Sequence, residues 1–267
     1  MINVFYMEKS NEMLKEIIEI ARKAGDAILE FYEDDVEVMK KDDDSPLTKA
    51  DLASHNIIVE ALKELDPETP IISEESGIPS YEERKTWSKF WIVDPLDGTK
   101  EFIKKNGEFT VNIALIDDGK PVLGVVYIPV KETTYYASRE KGTYKQVNQE
   151  EPKRIYSDAS TPQEPLVAVK SRSHGSEALL AELEEKGLNV QKTIPAGSSL
   201  KFCLVAEGEA DIYPRMGPTM EWDVAAGDCV YRYSAREGEH PSPLTYNKPD
   251  LKNGGFLIGL ADQSVKL

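Results

Sequence analysis

The sequence predicts a layered protein of mixed α+β and α/β character, and three observations predict it. Two stretches of helical apolar periodicity open the chain. A run of short apolar segments separated by turn residues follows, and strand-like and helix-like patterns then alternate toward the end. A length of 267 residues with a 40% apolar share suits one large domain, or two sharing a core.

Met13, Leu14, Ile17, Ile18, Ala21, Ala24, Ile28 and Phe31 recur at three- and four-residue steps, which predicts an amphipathic helix over residues 10–32. An acidic connector follows, with Asp34, Asp35, Asp42, Asp43 and Asp44, and reads as a solvated loop. Leu52, Ile58, Val59, Leu62 and Leu65 line one face of a second helix over 49–65. Thr48 is its natural N-cap, and Asp51 sits where a capping box places its acid. Pro67 and Pro70 close this region, and Ile71-Ile72 reads as a short buried strand running into Ser73-Glu74-Glu75-Ser76. Residues 90–93 form another buried strand, ending at Asp94-Pro95. Residues 110–116 and 122–128 flank the turn Asp117-Asp118-Gly119-Lys120 and predict a hairpin. Residues 133–137 and 142–147 add two more strands, so the first half holds mostly antiparallel strands behind two helices.

The proline-containing stretch 157–165 is the best internal boundary. It predicts an N-terminal α+β domain over residues 1–160 and a C-terminal α/β domain over 161–267. In the second, strands at 166–169, 190–194 and 210–213 alternate with helices at 176–186, 198–207 and 222–233, the pattern of a sheet–helix layer.

Lys and Arg number 32 against 48 Asp and Glu, for a formal charge of −16. Such acidity argues against a nucleic acid polymer as partner, since that binding neutralises phosphates with Lys and Arg. A small phosphorylated ligand stays open, because bound cations invert the local field. No segment approaches the roughly 18 apolar residues of a membrane span, and the N-terminal stretch lacks the features of a signal peptide. Cys203 and Cys229 form no C-x-x-C pair, so neither a zinc site nor a disulfide framework is expected. The expectation is a reduced, cytoplasmic protein. There is no phosphate loop, dinucleotide fingerprint or nucleophile elbow. His55, His174 and His240 lie far apart, and residues 94–98 lack the acidic alternation of an EF-hand.

What stands out is acid at element ends. Glu74-Glu75 follow the Ile71-Ile72 strand, Asp94 and Asp97 follow the strand over 90–93, and Asp223 opens a helix. Two of these have ordinary alternatives: surface charge for the two glutamates, a favourable first-turn position for Asp223. Together, at the places where α/β proteins build ligand sites, they point to a hard cation held by oxygen, Mg²⁺, Mn²⁺ or Ca²⁺. Pro95 stiffens the turn between the two aspartates, and Gly98-Thr99 offers backbone N–H groups to an anion if a helix starts there.

The segment Trp91-Ile92-Val93-Asp94-Pro95-Leu96-Asp97-Gly98-Thr99 resembles the first signature of the inositol monophosphatase superfamily. Glu221-Trp222-Asp223-Val224-Ala225-Ala226-Gly227 resembles the second, and Ser73-Glu74-Glu75-Ser76 resembles the acidic motif that precedes the first. Within that superfamily, Gly197-Ser198-Ser199-Leu200-Lys201-Phe202-Cys203, Ala210-Asp211-Ile212-Tyr213-Pro214-Arg215 and Ser171-Arg172-Ser173-His174 look most like the 3′(2′),5′-bisphosphate nucleotidases. The resemblance implies a five-layer αβαβα sandwich of the inositol monophosphatase/fructose-1,6-bisphosphatase type. It implies Mg²⁺-dependent removal of the 3′-phosphate of adenosine 3′,5′-bisphosphate, a by-product of sulfate activation and sulfotransfer, and sensitivity to lithium.

By the same resemblance Glu74, Asp94, Asp97, Asp223 and the backbone carbonyl of Leu96 bind two or three Mg²⁺ ions, with Mn²⁺ as a substitute. Asp51 and Thr99 orient the attacking water, with Glu74 as a further catalytic residue and Glu75 a lesser candidate for metal support. Leu96, Asp97, Gly98, Thr99 and Asp223 meet the substrate around the cleaved phosphate. Ser198, Lys201 and Arg215 correspond to residues near the second, uncleaved phosphate, and His174 to one lying against adenine. Inositol monophosphatase activity is the rival reading, and a non-catalytic metal- or phosphonucleotide-binding sensor is another. Expected partners are a small phosphorylated nucleotide but no nucleic acid polymer and no integral membrane, with the protein a monomer or a homodimer. The protein is placed in the cytoplasm or, as in some bacterial relatives of that family, peripherally at the inner face of the cell membrane.

Overall fold

The computed structural model describes residues 2–33, 38–40, 46–161, 164–172, 176–261, 265 and 267. Asp34, Asp35, Asp42, Asp43, Asp44 and His174 lie outside them. The chain begins with α1 (Ile2–Leu29), a two-stranded pair β1 (Val38–Lys40) and β2 (Pro46–Thr48), and α2 (Lys49–Leu65). Next come β3 (Ile71–Ser73), the short α3 (Tyr81–Arg84), β4 (Lys89–Asp97) and the five-residue α4 (Thr99–Ile103). β5 (Thr110–Asp117), β6 (Lys120–Ile128), β7 (Thr133–Ser138), β8 (Gly142–Val147) and β9 (Lys153–Arg154) follow. β3 to β9 form a seven-stranded sheet in chain order, with β3 parallel to β4 and every later pair antiparallel.

Side chains along this sheet alternate between two cores, as the period of two in a strand requires. Trp91, Val93, Val111, Ile113, Val125 and Tyr127 face α1 and α2, packing with Ile17, Ala21, Ile28, Ile58 and Leu62. Phe90, Ile92, Ala114, Ile116, Val126 and Ile128 face the opposite way. There they meet the helices of the second half, α6 (Leu200–Ala206) and α7 (Glu221–Arg232), through Phe202, Val205, Val224, Cys229 and Val230.

The second half continues the stack. β10 (Leu166–Ser171) and β11 (Val190–Ala196) pair in parallel, with α5 (Ser176–Glu185) between them in the chain. β12 (Tyr213–Arg215) joins β10 through the Ala168–Ile212 bridge and pairs antiparallel with β15 (Phe256–Ile258). The small pair β13 (Thr219–Met220) and β14 (Lys252–Asn253) flanks α7. Leu166, Ala168, Ile212 and Leu257 pack on the side of Leu183, in α5, while Val169, Ala196, Tyr213 and Phe256 join the α6–α7 core. Helices, sheet, helices, sheet and helix make five layers, as the resemblance implied.

Sequence and structure differ mainly at element ends. α1 starts at Ile2 and stops at Leu29 rather than spanning 10–32. Phe31 and Tyr32 donate three residues back, to Ile28 and Leu29 at 3.1 Å each, so the chain leaves the helix in tight turns. The strand expected at 210–213 lies at Tyr213–Arg215, because Asp211 is occupied elsewhere: its Oδ2 accepts the Val167 N–H at 2.6 Å. The pairs β1–β2 and β13–β14 were not expected, being too short to show a period. No helix among the described residues is long and apolar enough to cross a membrane.

Candidate active site

The ladder between β4 and β5 carries a bulge where the acidic turn lies. Asp94 is opposite Asn112 and Asp97 is opposite Thr110, so three steps on β4 match two on β5. Without the extra residue Asp97 would share the α1–α2 face with Trp91 and Val93. With it, Asp97 falls on the same face as Asp94, and Leu96 takes the core position under α1 and α2. Pro95, which has no N–H to give the ladder, sits within the bulge, and Ser54 of α2 donates to its carbonyl at 2.7 Å.

Two further carboxylates arrive on separate elements. Glu74 follows β3, and its N–H donates to Val93 of the parallel strand at 3.2 Å. Asp223 is in the first turn of α7, where its Oδ2 accepts the Met220 N–H at 2.8 Å. Carboxylate oxygens of Glu74, Asp94 and Asp223 lie within 4.8 Å of one another. Burial pushes the Asp94 carboxyl well up, and Glu74, Asp97 and Asp223 add to the effect. Burial also lifts Asp223 to about 8, with Asp97 and Glu74 contributing. Asp97 rises to about 6, again through burial, although Lys201 and the amide of Asn112 pull it down. An oxygen-only cluster in which burial and neighbouring charge lift Asp94, Asp97 and Asp223 above the usual carboxylate range fits a hard divalent cation, which removes the repulsion.

A pH dependence follows, with a definite sign. The carboxyls of Asp94, Asp97 and Asp223 have raised folded-state pKa values, so the metal-free folded protein keeps protons above pH ~4 that the unfolded chain has lost. Their contribution to stability therefore falls as pH climbs through the window up to about 8. In chelator the thermal midpoint is expected to drop between pH 5 and pH 8, and added Mg²⁺ to raise it more at pH 8 than at pH 5. Melting curves at both pH values, with and without Mg²⁺, check this; an equal or smaller Mg²⁺ effect at pH 8 counts against the cluster as a cation site.

Asp51 has two ties. Its Oδ2 accepts the Thr48 N–H at 2.8 Å and the Thr48 hydroxyl at 2.5 Å, closing the expected capping box of α2. Its Oδ1 accepts the Thr99 hydroxyl at 3.1 Å. The capping role and a role beside Thr99 are thus compatible, because the carboxylate has two oxygens. Thr99 opens α4 directly after Gly98, which sits at φ +95. A Cβ there would fall 2.3 Å from Ser198 Oγ, so only glycine allows this approach.

The opposite wall comes from the second half. Ser198 holds a left-handed φ of 45, and its hydroxyl lies 2.7 Å from the Asp97 carbonyl and 2.8 Å from that of Glu108. Ser199 Oγ donates to the Asp223 carbonyl at 3.1 Å and receives Asn112 Nδ2 at 3.0 Å, while the same amide reaches Asp97 Oδ2 at 3.3 Å. Lys201 is buried, with Nζ donating to the Ser198 carbonyl at 2.6 Å and lying 5.6 Å from the Tyr213 ring centre. Burial lowers its pKa to about 8, against the pull of Asp97. Arg215 gives Nε and Nη2 to the carbonyls of Gly217 and Pro218, at 3.2 and 3.1 Å, so the guanidinium is tied to its own turn. One pocket is lined by Asp97, Gly98, Ser198, Lys201, Arg215 and Asp223 together.

Sequence reasoning missed Asn112, Ser199 and Ser54, which orient the acids and their turn. Asn112 carried a signal: a single amide inside the apolar run 110–116. Ser199 stood in the Gly197-Ser198-Ser199 motif, but nothing told which hydroxyl would face inward. Ser54 is an ordinary helix residue whose role depends on α2 meeting the bulge.

The inositol monophosphatase family model matches residues 9–233. Over 220 residues the chain is 50% identical to the 3′(2′),5′-bisphosphate nucleotidase CysQ of Salmonella typhimurium, covering 82% of this chain and 86% of that one. Over 256 residues it is 46% identical to the protein of the same name from Escherichia coli K12, covering 93% and 100%. The crystal structure of CysQ from Bacteroides thetaiotaomicron, a bacterial member of the inositol monophosphatase family, matches with a TM-score of 0.77 at 43% identity. That match covers 94% of this chain and 98% of that one.

Proposed function

The chain belongs to the inositol monophosphatase family, and from that premise we propose that it is a Mg²⁺-dependent 3′(2′),5′-bisphosphate nucleotidase. It removes the 3′-phosphate of adenosine 3′,5′-bisphosphate, giving AMP and phosphate, in sulfur assimilation and nucleotide recycling. The observation that carries this substrate is the cationic wall of Lys201 and Arg215 across one pocket from the carboxylates. A single phosphate needs only the carboxylate side; the wall answers a second one.

Glu74, Asp94, Asp97, Asp223 and the Leu96 carbonyl hold the divalent cations, two or three Mg²⁺ replaceable by Mn²⁺. When bound, these supply positive charge to the transferring phosphoryl group and acidify water. Thr99, donating to Asp51, turns its lone pairs toward a water. As that water's oxygen attacks phosphorus, its proton passes to Thr99 and the Thr99 proton to Asp51. The bond to the ribose 3′ oxygen breaks with its electron pair going to that oxygen, which takes a proton from solvent water, and Asp51 gives its proton back to solvent to close the cycle. The Gly98 and Thr99 amides receive the cleaved phosphate. Lys201, Arg215 and Ser198 lie on the side of the 5′-phosphate. A sensor without turnover would have no use for an Asp51–Thr99 pair.

Phosphate release from adenosine 3′,5′-bisphosphate and from inositol 1-phosphate, with Mg²⁺ and with chelator, tests the reading. The bisphosphate is expected to be turned over faster, and only with metal. Faster release from inositol 1-phosphate moves the protein to the rival activity, and release undiminished by chelator rejects the metal assignment.

A further inference from the structure

We propose that Glu108 sets the spacing between the carboxylate cluster and the cationic wall, and thereby the preference for a substrate with two phosphates. The inference rests on the nucleotidase reading. Glu108 lies just before β5, whose first residue, Thr110, pairs with Asp97. Its backbone thus belongs to the acidic end of the main sheet. Its side chain reaches the second half. Arg172 Nε donates to Glu108 Oε2 at 2.5 Å, Arg172 Nη2 donates to Oε1, and the Gly197 N–H donates to Oε2 at 2.8 Å.

The topology explains why one carboxylate can do this. β10 and β11 run parallel, and Ser171 pairs with Ala196 at their carboxyl ends. Arg172 and Gly197 are the next residue of each strand, so Glu108 bridges both strand ends, where α/β layers bind ligands. The bridge is tight: a Cβ on Gly197 would lie 2.8 Å from the Glu108 carbonyl oxygen. Glu108 is 8% exposed. Burial alone would raise its pKa, but Arg172 and the Gly197 amide hold it below the usual range, so it grips as the anion at neutral pH.

Gly197 leads through Ser198 into α6, which carries Lys201. Loosening the grip lets that wall shift relative to Asp97 without removing any carboxylate from the cluster. A bisphosphate must satisfy both sides at one spacing, whereas a monophosphate need satisfy only one. Glu108 is therefore a positioning residue, acting through Arg172 and Gly197.

The test uses Glu108→Gln, Arg172→Gln and the double variant with Mg²⁺, measuring kcat and KM on adenosine 3′,5′-bisphosphate and adenosine 3′-monophosphate. For the bisphosphate, KM is expected to rise about 10–100-fold in Glu108→Gln, with kcat and the monophosphate kcat/KM within about threefold of wild type. The double variant should be no worse than Glu108→Gln, since both changes break one pair. If Glu108→Gln does not fold, Arg172→Gln, whose side chain is 45% exposed, gives the same comparison. Equal losses on the two substrates, or additive losses in the double variant, overturn the proposal. A wild-type enzyme without preference for the bisphosphate would instead sink the nucleotidase reading, and this inference with it.

Discussion

Asp223→Asn and Asp97→Asn are each expected to lower kcat on adenosine 3′,5′-bisphosphate by about 10³-fold or more, and to leave the fold intact. Each exchange removes one negative charge from the cluster and little else. An asparagine oxygen at 223 can still accept the Met220 N–H that caps α7, and one at 97 can still accept the Asn112 amide. On the proposed function, what is lost is a charge that holds a divalent cation. The same loss relieves the part that neighbouring charge adds to burial in lifting the carboxyls that remain, Asp94 in both variants and Asp223 in Asp97→Asn. In chelator at pH 8 both variants should therefore melt higher than wild type, and Mg²⁺ should raise their midpoints less. Kinetics and melting together separate a lost ligand from a damaged fold. Near wild-type rates in either variant reject the assignment.

Arg215→Ala is expected to weaken transition-state binding of adenosine 3′,5′-bisphosphate by about 2–5 kcal/mol, the range for losing one partner of a desolvated charge pair. With adenosine 3′-monophosphate the same change should cost under about 1 kcal/mol. Arg215 suits this comparison better than Lys201, because Lys201 is buried within the electrostatic reach of Asp97 and its loss disturbs both sides of the pocket. The two bonds from Arg215 to the carbonyls of Gly217 and Pro218 hold its guanidinium in place before substrate arrives. Little ordering is then needed on binding. Measuring kcat/KM for both substrates in both proteins gives the comparison. Equal losses would make Arg215 a brace for its own turn and remove the main argument for a second phosphate.

Much of the site was legible because its acids stand at element ends with ordinary elements around them. Ile71-Ile72 before Glu74 and the apolar run before Asp94 announce buried strands, and a carboxylate just beyond a buried strand is conspicuous. Thr48 and Asp51 announced a capping box, which is present. Less was legible where one residue has two partners. The capping box accounted fully for Asp51 in the sequence, and only the fold shows its second oxygen turned to Thr99. Glu108 carried no local signal, because its partners Arg172 and Gly197 come from another layer.

The sequence by itself determined the layers and the chemistry, since apolar periodicity depends on neighbours within one element and carboxylates at strand ends need no partner to be noticed. Tertiary structure alone decided which side each acid faces and how far apart the walls of the pocket stand. The bulge at Pro95-Leu96 puts Asp97 beside Asp94 on the face that meets α7, and the Glu108 bridge ties the acidic end of one sheet to the strand ends of another. A change of ladder register inverts a side chain's face, and a contact between layers joins residues distant in the chain; neither leaves a trace in local composition.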